Sequence, residues 1–318
     1  MSAATEQSAA AESKDGGGLS TKQKVWLFVG GFLLIGILIG VLGGGGMRNE
    51  EFKPQNAFKL DPPWIPIKLG PVDLSINKAV LYLFLAAALT TWAMVYIAKR
   101  MQDKPNRVQT AVELFYSLMR DRIIRDNMDD AMAAKWFGFI GALFLFIWIS
   151  NVIGYLPLPT NTEESVKVLG LEVPSFALYA ATTNISIPLV LTLIVWFSYH
   201  VEGVRKHGPI AYIKTWVPPG VTGTARIPIF CIEVISHLVR IISLSVRLFA
   251  NLLAGHLLIL FMGGGLAVLL GIAAVAWFTM PMAVAFFIFE VGLVATLQAF
   301  IFAILTAIYL GGATAEQH

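Results

Sequence analysis

An all-α polytopic membrane protein with about five or six membrane helices is what this chain's composition and patterning dictate. Of its 318 residues, 57% are hydrophobic and 14% charged, and the mean hydropathy is +0.72. An ordinary soluble domain carries about 25% charged residues. Apolar runs long enough to cross a hydrocarbon core of about 30 Å recur along the chain, and charged, proline-rich or glycine-rich stretches separate them. The net charge of +3 and the absence of a separate basic patch give no reason to expect nucleic acid. Cys231 is the sole cysteine, so an intrachain disulfide is impossible. The five histidines, His200, His207, His237, His256 and His318, lack metal-ligand spacing. Gly43 to Gly46 lacks the Lys-Ser/Thr that completes a phosphate loop. Neither a cofactor nor direct nucleotide binding is expected.

Residues 1–24 are small and polar and read as a disordered tail. Val25–Leu42 is an unbroken run of 18 apolar or glycine residues behind Lys22 and Lys24. It reads as a membrane span or a signal peptide within a segment 25–46. Its length and the lack of an A-x-A site favour a retained span. Residues 47–74 hold five prolines and mixed charge, an extracytoplasmic linker. Ile76–Ala98 is a span ended by Lys99 and Arg100. Over Asn106–Asn127, Val108, Val112, Phe115, Met119 and Ile123 recur at steps of three and four. That pattern predicts an amphipathic surface helix on the cytoplasmic side, packed on lipid or on its own protein.

Phe137–Leu158 and Ser175–Tyr199 are further spans, and the second holds Thr182, Thr183, Asn184 and Ser186. An acidic loop, 159–174, lies between them, and a basic loop, 200–226, follows. Eight basic residues in the 99–136 connection and four in 200–226, against Lys167 alone in 159–174, put both basic connections and the C-terminus in the cytoplasm. The last two apolar segments, 227–262 and 267–309, are too long for ordinary spans. The first would make about 54 Å of helix, so it must tilt steeply or break. It has no proline after Pro228 and favours tilt, whereas Pro281 allows a kink in the second. Together they form a long, tilted C-terminal hairpin around Gly263–Gly265.

The chemistry concentrates on the first of these segments. Arg247 lies in the middle of an apolar run, where an arginine costs ~2.5–3.5 kcal/mol on insertion scales. Glu233, the preceding acid, is 14 residues away, about 21 Å along a helix. The counter-charge must come from another helix or another chain. Arg247 shares a helical face with Arg240, Ser243, Asn251 and Ala254, whereas Leu248, Leu252 and Ile259 lie opposite. A small, positive stripe suits close approach by a partner helix bearing a carboxylate. The alternative is a static intramembrane ion pair.

Glu233, Ser236, His237 and Arg240 cluster near the start of that helix. They read as the lining of an aqueous entrance or as a local salt-bridge group. His256 follows Arg247 by nine residues, and its unperturbed pKa suits proton relay. Glu290 and Gln298 place polar groups within the final segment. Polar matter on both sides of Arg247, without a continuous line, suits two half-paths that a cation keeps apart.

The segment Ser243–Leu258, SLSVRLFANLLAGHLL, resembles the signature of the subunit a family of the F-type ATP synthase. Further segments agree in order: Gln109–Leu114 (QTAVEL), Ser150-Asn151 before a Leu-Pro exit, Thr182-Thr183-Asn184, and Leu297–Leu310 (LQAFIFAILTAIYL). The resemblance covers residues 60–312 and implies a membrane domain over 75–312, followed by a tail, 313–318. It implies an ion-translocating stator subunit in the bacterial inner membrane, with a c-ring, peripheral stalk subunit b and the lipid bilayer as partners and the proton as cargo. Arg247 would meet the carboxylate of each passing c subunit, with Ser243, Asn251 and Gln298 as polar neighbours at the ring. His256 would belong to the outer half-channel and Glu233, with His237, to the inner one. The family places an ionisable residue seven positions before the LQAF glutamine. Here that position is Val291, and Glu290 is eight before. Either a local bulge corrects the offset or Glu290 serves differently. A stand-alone transporter and a purely architectural anchor are the competing readings. The first lacks a visible internal repeat, and in the second the charges only fix packing, which ion flux through an assembled Arg247 variant would tell apart.

Overall fold

The computed structural model describes residues 20–42, 58–60, 63, 65–69, 72–73, 75–102, 106–168, 171–218, 220–221 and 223–315. Most of the polar tail 1–24, the glycine run 43–46, much of the linker 47–74 and His318 lie outside the described residues. The first helix is α1 (Thr21–Leu42). Two short strands, β1 (Lys68–Leu69) and β2 (Val72–Asp73), pair antiparallel. There follow α2 (Lys78–Arg100), α3 (Arg107–Ser117) and α4 (Asp130–Gly154). Next come β3 (Leu158–Val168) and β4 (Leu171–Ala177), then α5 (Ser186–His207), α6 (Pro209–Thr215) and α7 (Arg226–Leu260). The chain ends with α8 (Leu266–Leu270), α9 (Ala273–Phe289) and α10 (Ala295–Thr314). Among the described residues, six helical stretches are long and apolar enough to cross a membrane, in line with the five or six expected.

Local chemistry sets the ends of these helices. The Asn77 side chain accepts from the Val80 amide at 3.1 Å and starts α2, and Lys99 and Arg100 close it where cations suit both the helix dipole and the membrane edge. Asn106 caps the Gln109 amide at 2.8 Å. The helix predicted over 106–127 is not continuous: α3 gives way to a π-helical turn at Leu118–Ile124. Val108 is exposed, whereas Met119 and Ile123 are fully buried, so its second half packs on the protein's own core.

Three further expectations are corrected. The predicted loop 159–174 is largely an antiparallel hairpin, β3–β4. The span predicted over 175–199 is the helix Ser186–His207; Ser175 belongs to β4, Thr182 and Thr183 to a 3-10 turn, and Asn184 accepts from the Ser186 amide at 3.0 Å. The final segment breaks at Gly271, in a left-handed conformation with φ 71°, whereas Pro281 sits inside α9. A left-handed residue ends a helix and suits glycine. Gly264, at φ 145°, makes the preceding kink.

The described residues form two compact units. In one, α1 meets the stretch around Trp277: the Trp277 indole donates to the Phe32 carbonyl at 3.0 Å, and Gly36 is buried against Trp277 and Phe278. The other holds the main core. There α4 packs on α2 and α10, and α5 on α7 and α10. Ile140 and Ile147 of α4, Leu244, Leu248 and Leu252 of α7, and Phe302 and Ala303 of α10 share one buried cluster. These contacts fix α7 about its own axis.

Candidate functional site

The 35 residues of α7 run unbroken, about 52 Å of helix, and its two faces differ in kind. Leu244, Leu248, Leu252 and Ile259 are buried in the core. Ser243, Arg247, Asn251 and Ala254 are exposed. The expected division into bulky and small faces is therefore an inward and an outward face. Among the described residues no carboxylate lies within ion-pairing distance of Arg247.

Ten residues before Arg247, about 15 Å along the axis, the inward face carries His237. Its Nδ1 is 3.0 Å from the Tyr199 hydroxyl and its Nε2 3.7 Å from Glu233 Oε1. Arg240 donates to the same Glu233 oxygen at 3.4 Å and lies 5.0 Å from the Tyr309 ring centroid. His200 enters the group from α5, its Nδ1 2.8 Å from the Tyr212 hydroxyl. Burial raises the Tyr212 phenol above its ordinary range, so it stays a neutral partner. Sequence reasoning found Glu233, His237 and Arg240, which repeat on one helix. Ser236 is half-buried. Tyr199, His200 and Tyr212 arrive from other helices and gave no local signal.

Nine residues after Arg247, about 14 Å along the axis, the same face carries His256, fully buried. Its Nδ1 is 2.8 Å from the Leu252 carbonyl and its Nε2 3.0 Å from the Gly154 carbonyl. A neutral imidazole has one N–H and can donate to one of these; the protonated ring can donate to both. Tyr155, at the end of α4, stacks on His256 with ring centroids 4.4 Å apart and donates to Glu290 Oε2 at 2.9 Å. The Glu290 carboxyl lies directly over Gly255, where any Cβ would collide with it. Nearby, Thr182 donates to Asn151 at 2.9 Å.

Glu290 reaches this cluster through a π-helical turn, Glu290–Val294, between α9 and α10. The turn closes an i to i+5 bond, with the Ala295 amide donating to the Glu290 carbonyl. One extra residue in a turn absorbs one residue of offset. The backbone holds a bulge between Glu290 and Gln298, and both residues are buried. Gln298 departs from expectation: at 5% exposure it lies inside the chain's own packing, not on the exposed stripe of Arg247. It belongs to the side of α10 that faces the core.

Each buried cluster stands at one end of α7, and Leu244, Leu248 and Leu252 fill the inward face between them. The arrangement offers protons two separate polar stations and no polar line joining them on this face. The exposed cation stands midway. Among the described residues no group of three potential ligands is placed to hold a metal ion.

The chain matches the family described as ATP synthase A chain over residues 80–311. It is 34% identical to an ATP synthase subunit a of Rubrobacter xylanophilus over 77% of this chain and 87% of that protein. It is 32% identical to one of Pelagibacter ubique, over 83% and 98% of the two chains. For one of Parvibaculum lavamentivorans the identity is 33%, over 86% and 97%.

Proposed function

This chain belongs to the ATP synthase A chain family, and on that footing we propose how its residues divide the work of a proton-translocating stator subunit. Arg247 faces a ring of c subunits, each with a membrane carboxylate. A deprotonated carboxylate is drawn to the guanidinium, which offsets the cost of both charges at bilayer depth. A proton arriving through the cluster of His256, Tyr155 and Glu290 neutralises the carboxylate as the ring carries it away into lipid. A proton leaving the next carboxylate departs through Glu233 and His237. Arg247, between the two paths, stops protons from crossing without rotation. Ser243 and Asn251 keep the stripe small and polar where ring helices pass.

The observation that carries this reading is the pairing of an exposed arginine, with no carboxylate partner among the described residues, and two polar clusters at similar distances on either side, one buried and one half-buried. The tilt of α7 needed to fit about 52 Å of helix to a core of about 30 Å suits a surface laid along a ring. The positive-inside pattern puts the Glu233 end and the C-terminus in the cytoplasm of a bacterial cell. Peripheral stalk subunit b completes the stator.

Cross-linking tests the docking face. In a Cys231→Ser background, Asn251→Cys is oxidised against a c subunit bearing a cysteine one helical turn from its carboxylate. The expected result is an efficient disulfide at Asn251 and none with Leu252→Cys, one position round the helix. Equal cross-linking at both positions, or none at Asn251 in an assembled complex, contradicts the assignment.

A further inference from the structure

The cluster around His237 contains more titratable chemistry than the α7 residues supply. His200 and His237 come from different helices, yet their ring centroids are 4.9 Å apart. Each is tied through Nδ1 to a tyrosine, Tyr212 for His200 and Tyr199 for His237. The other nitrogen of His237 faces Glu233. Among the described residues the Nε2 of His200 has no hydrogen-bond partner and is buried, as is the indole N–H of Trp196 beside it, whose ring centroid is 4.2 Å from that of His200. Buried polar atoms in native proteins are satisfied by protein or by water. Two such atoms in adjoining rings mark a place where water enters.

Exposure falls along the cluster in order. The side chain of Glu233 is 33% exposed and that of His237 9%. A proton that meets Glu233 can pass to His237 and then to the Tyr199 hydroxyl without leaving hydrogen-bonding distance by more than one water. His200 lies beside that line. The charged neighbours are Arg240, held by Glu233, and the phenols are Tyr199, Tyr212 and Tyr309. None of these fills the role of a second base.

We infer that His200, together with its hydrogen-bond partner Tyr212, is a proton-carrying group of the path at the Glu233 end, paired with His237 through a hydrated contact. This rests on the reading of the preceding section. A single step moves one proton from Nε2 of a protonated His237 ring to water, and one from that water to Nε2 of a neutral His200, so that His237 ends neutral and His200 protonated. No bond between heavy atoms changes.

The test is passive proton conduction through membrane vesicles carrying the assembled complex, stripped of its catalytic head and driven by a potassium diffusion potential. His200→Phe keeps an aromatic ring in the cage, and His200→Gln keeps a polar group that cannot titrate. Both are expected to lower conduction about tenfold or more, with normal amounts of the complex by immunoblot. Conduction at the parental rate in either variant overturns the inference, since water or packing alone would then suffice. Tyr212→Phe removes one oxygen and guards against failure of the His200 variants to assemble: a severalfold fall is expected, and an unchanged rate overturns the inference. Arg247 is intact throughout, so these outcomes stand apart from any test of Arg247 itself.

Discussion

Arg247 is intelligible only as half of an interaction. At the centre of an apolar helix it costs ~2.5–3.5 kcal/mol on insertion scales, its face is exposed on the chain, and among the described residues no carboxylate is within ion-pairing distance of it. That much was legible in sequence, because a lone charge in an apolar run needs no partner to be noticed. The stripe of Ser243, Asn251 and Ala254 was legible for the same reason: residues on one helix share a face by arithmetic. Tyr155 was not, although it holds Glu290, because 135 residues separate them. Gly255 belongs with Tyr155. Its missing Cβ leaves room for the Glu290 carboxyl, the mobile end of a long side chain. Gly255→Ala should therefore leave the fold intact, since a displaced carboxyl is cheap and alanine gains about 0.5–1 kcal/mol over glycine within a helix. Passive proton conduction should fall all the same, because the carboxyl loses its place against Tyr155. Conduction at the parental rate in Gly255→Ala would show that the seating of Glu290 is irrelevant to the path.

The helices themselves were legible to the extent that apolar length and capping define them. The unbroken α7 followed from its lack of proline after Pro228, and Lys99 and Arg100 end α2 where the sequence put them. Failures came where backbone conformation outranked composition. A left-handed Gly271 breaks the last segment, which a reading focused on Pro281 missed, and the acidic stretch after α4 found its backbone partners in a hairpin. The π-turn Glu290–Val294 is the most informative case. The sequence carries an offset of one residue between Glu290 and Gln298 there, about 100° of helix rotation, and we propose that the turn takes it up. Deleting Val291 should convert the turn to ordinary α-helix with Glu290 seven positions before the glutamine. The prediction is a complex that assembles and pumps near the parental rate. Deleting Ala303, inside the packed stretch of α10, should abolish assembly. If the Val291 deletion fails as badly, the turn does more than absorb an offset.

On the scale of the whole molecule, the inward face of α7 carries titratable groups toward its two ends and, apart from Ser245, apolar ones between. The Leu244, Leu248 and Leu252 layer, in one buried cluster with Ile140, Ile147 and Phe302, lies between Glu233 and His237 on one side and His256 and Glu290 on the other. An ion pair helps hold the frame near one end, where the half-exposed Lys135 of α4 reaches the buried Glu202 of α5. The polar residues behind the two proposed half-paths were legible in sequence, on both sides of a cation. The apolar layer between them was not, because it depends on which helices pack on the inward face of α7. The central claim is that Arg247 couples these paths to a moving carboxylate. ATP-driven acidification of inverted vesicles carrying Arg247→Ala tests it most directly, with an immunoblot to establish that the complex assembles. The account predicts that pumping disappears while assembly is normal. Pumping at the parental rate would make Arg247 architectural and contradict the coupling.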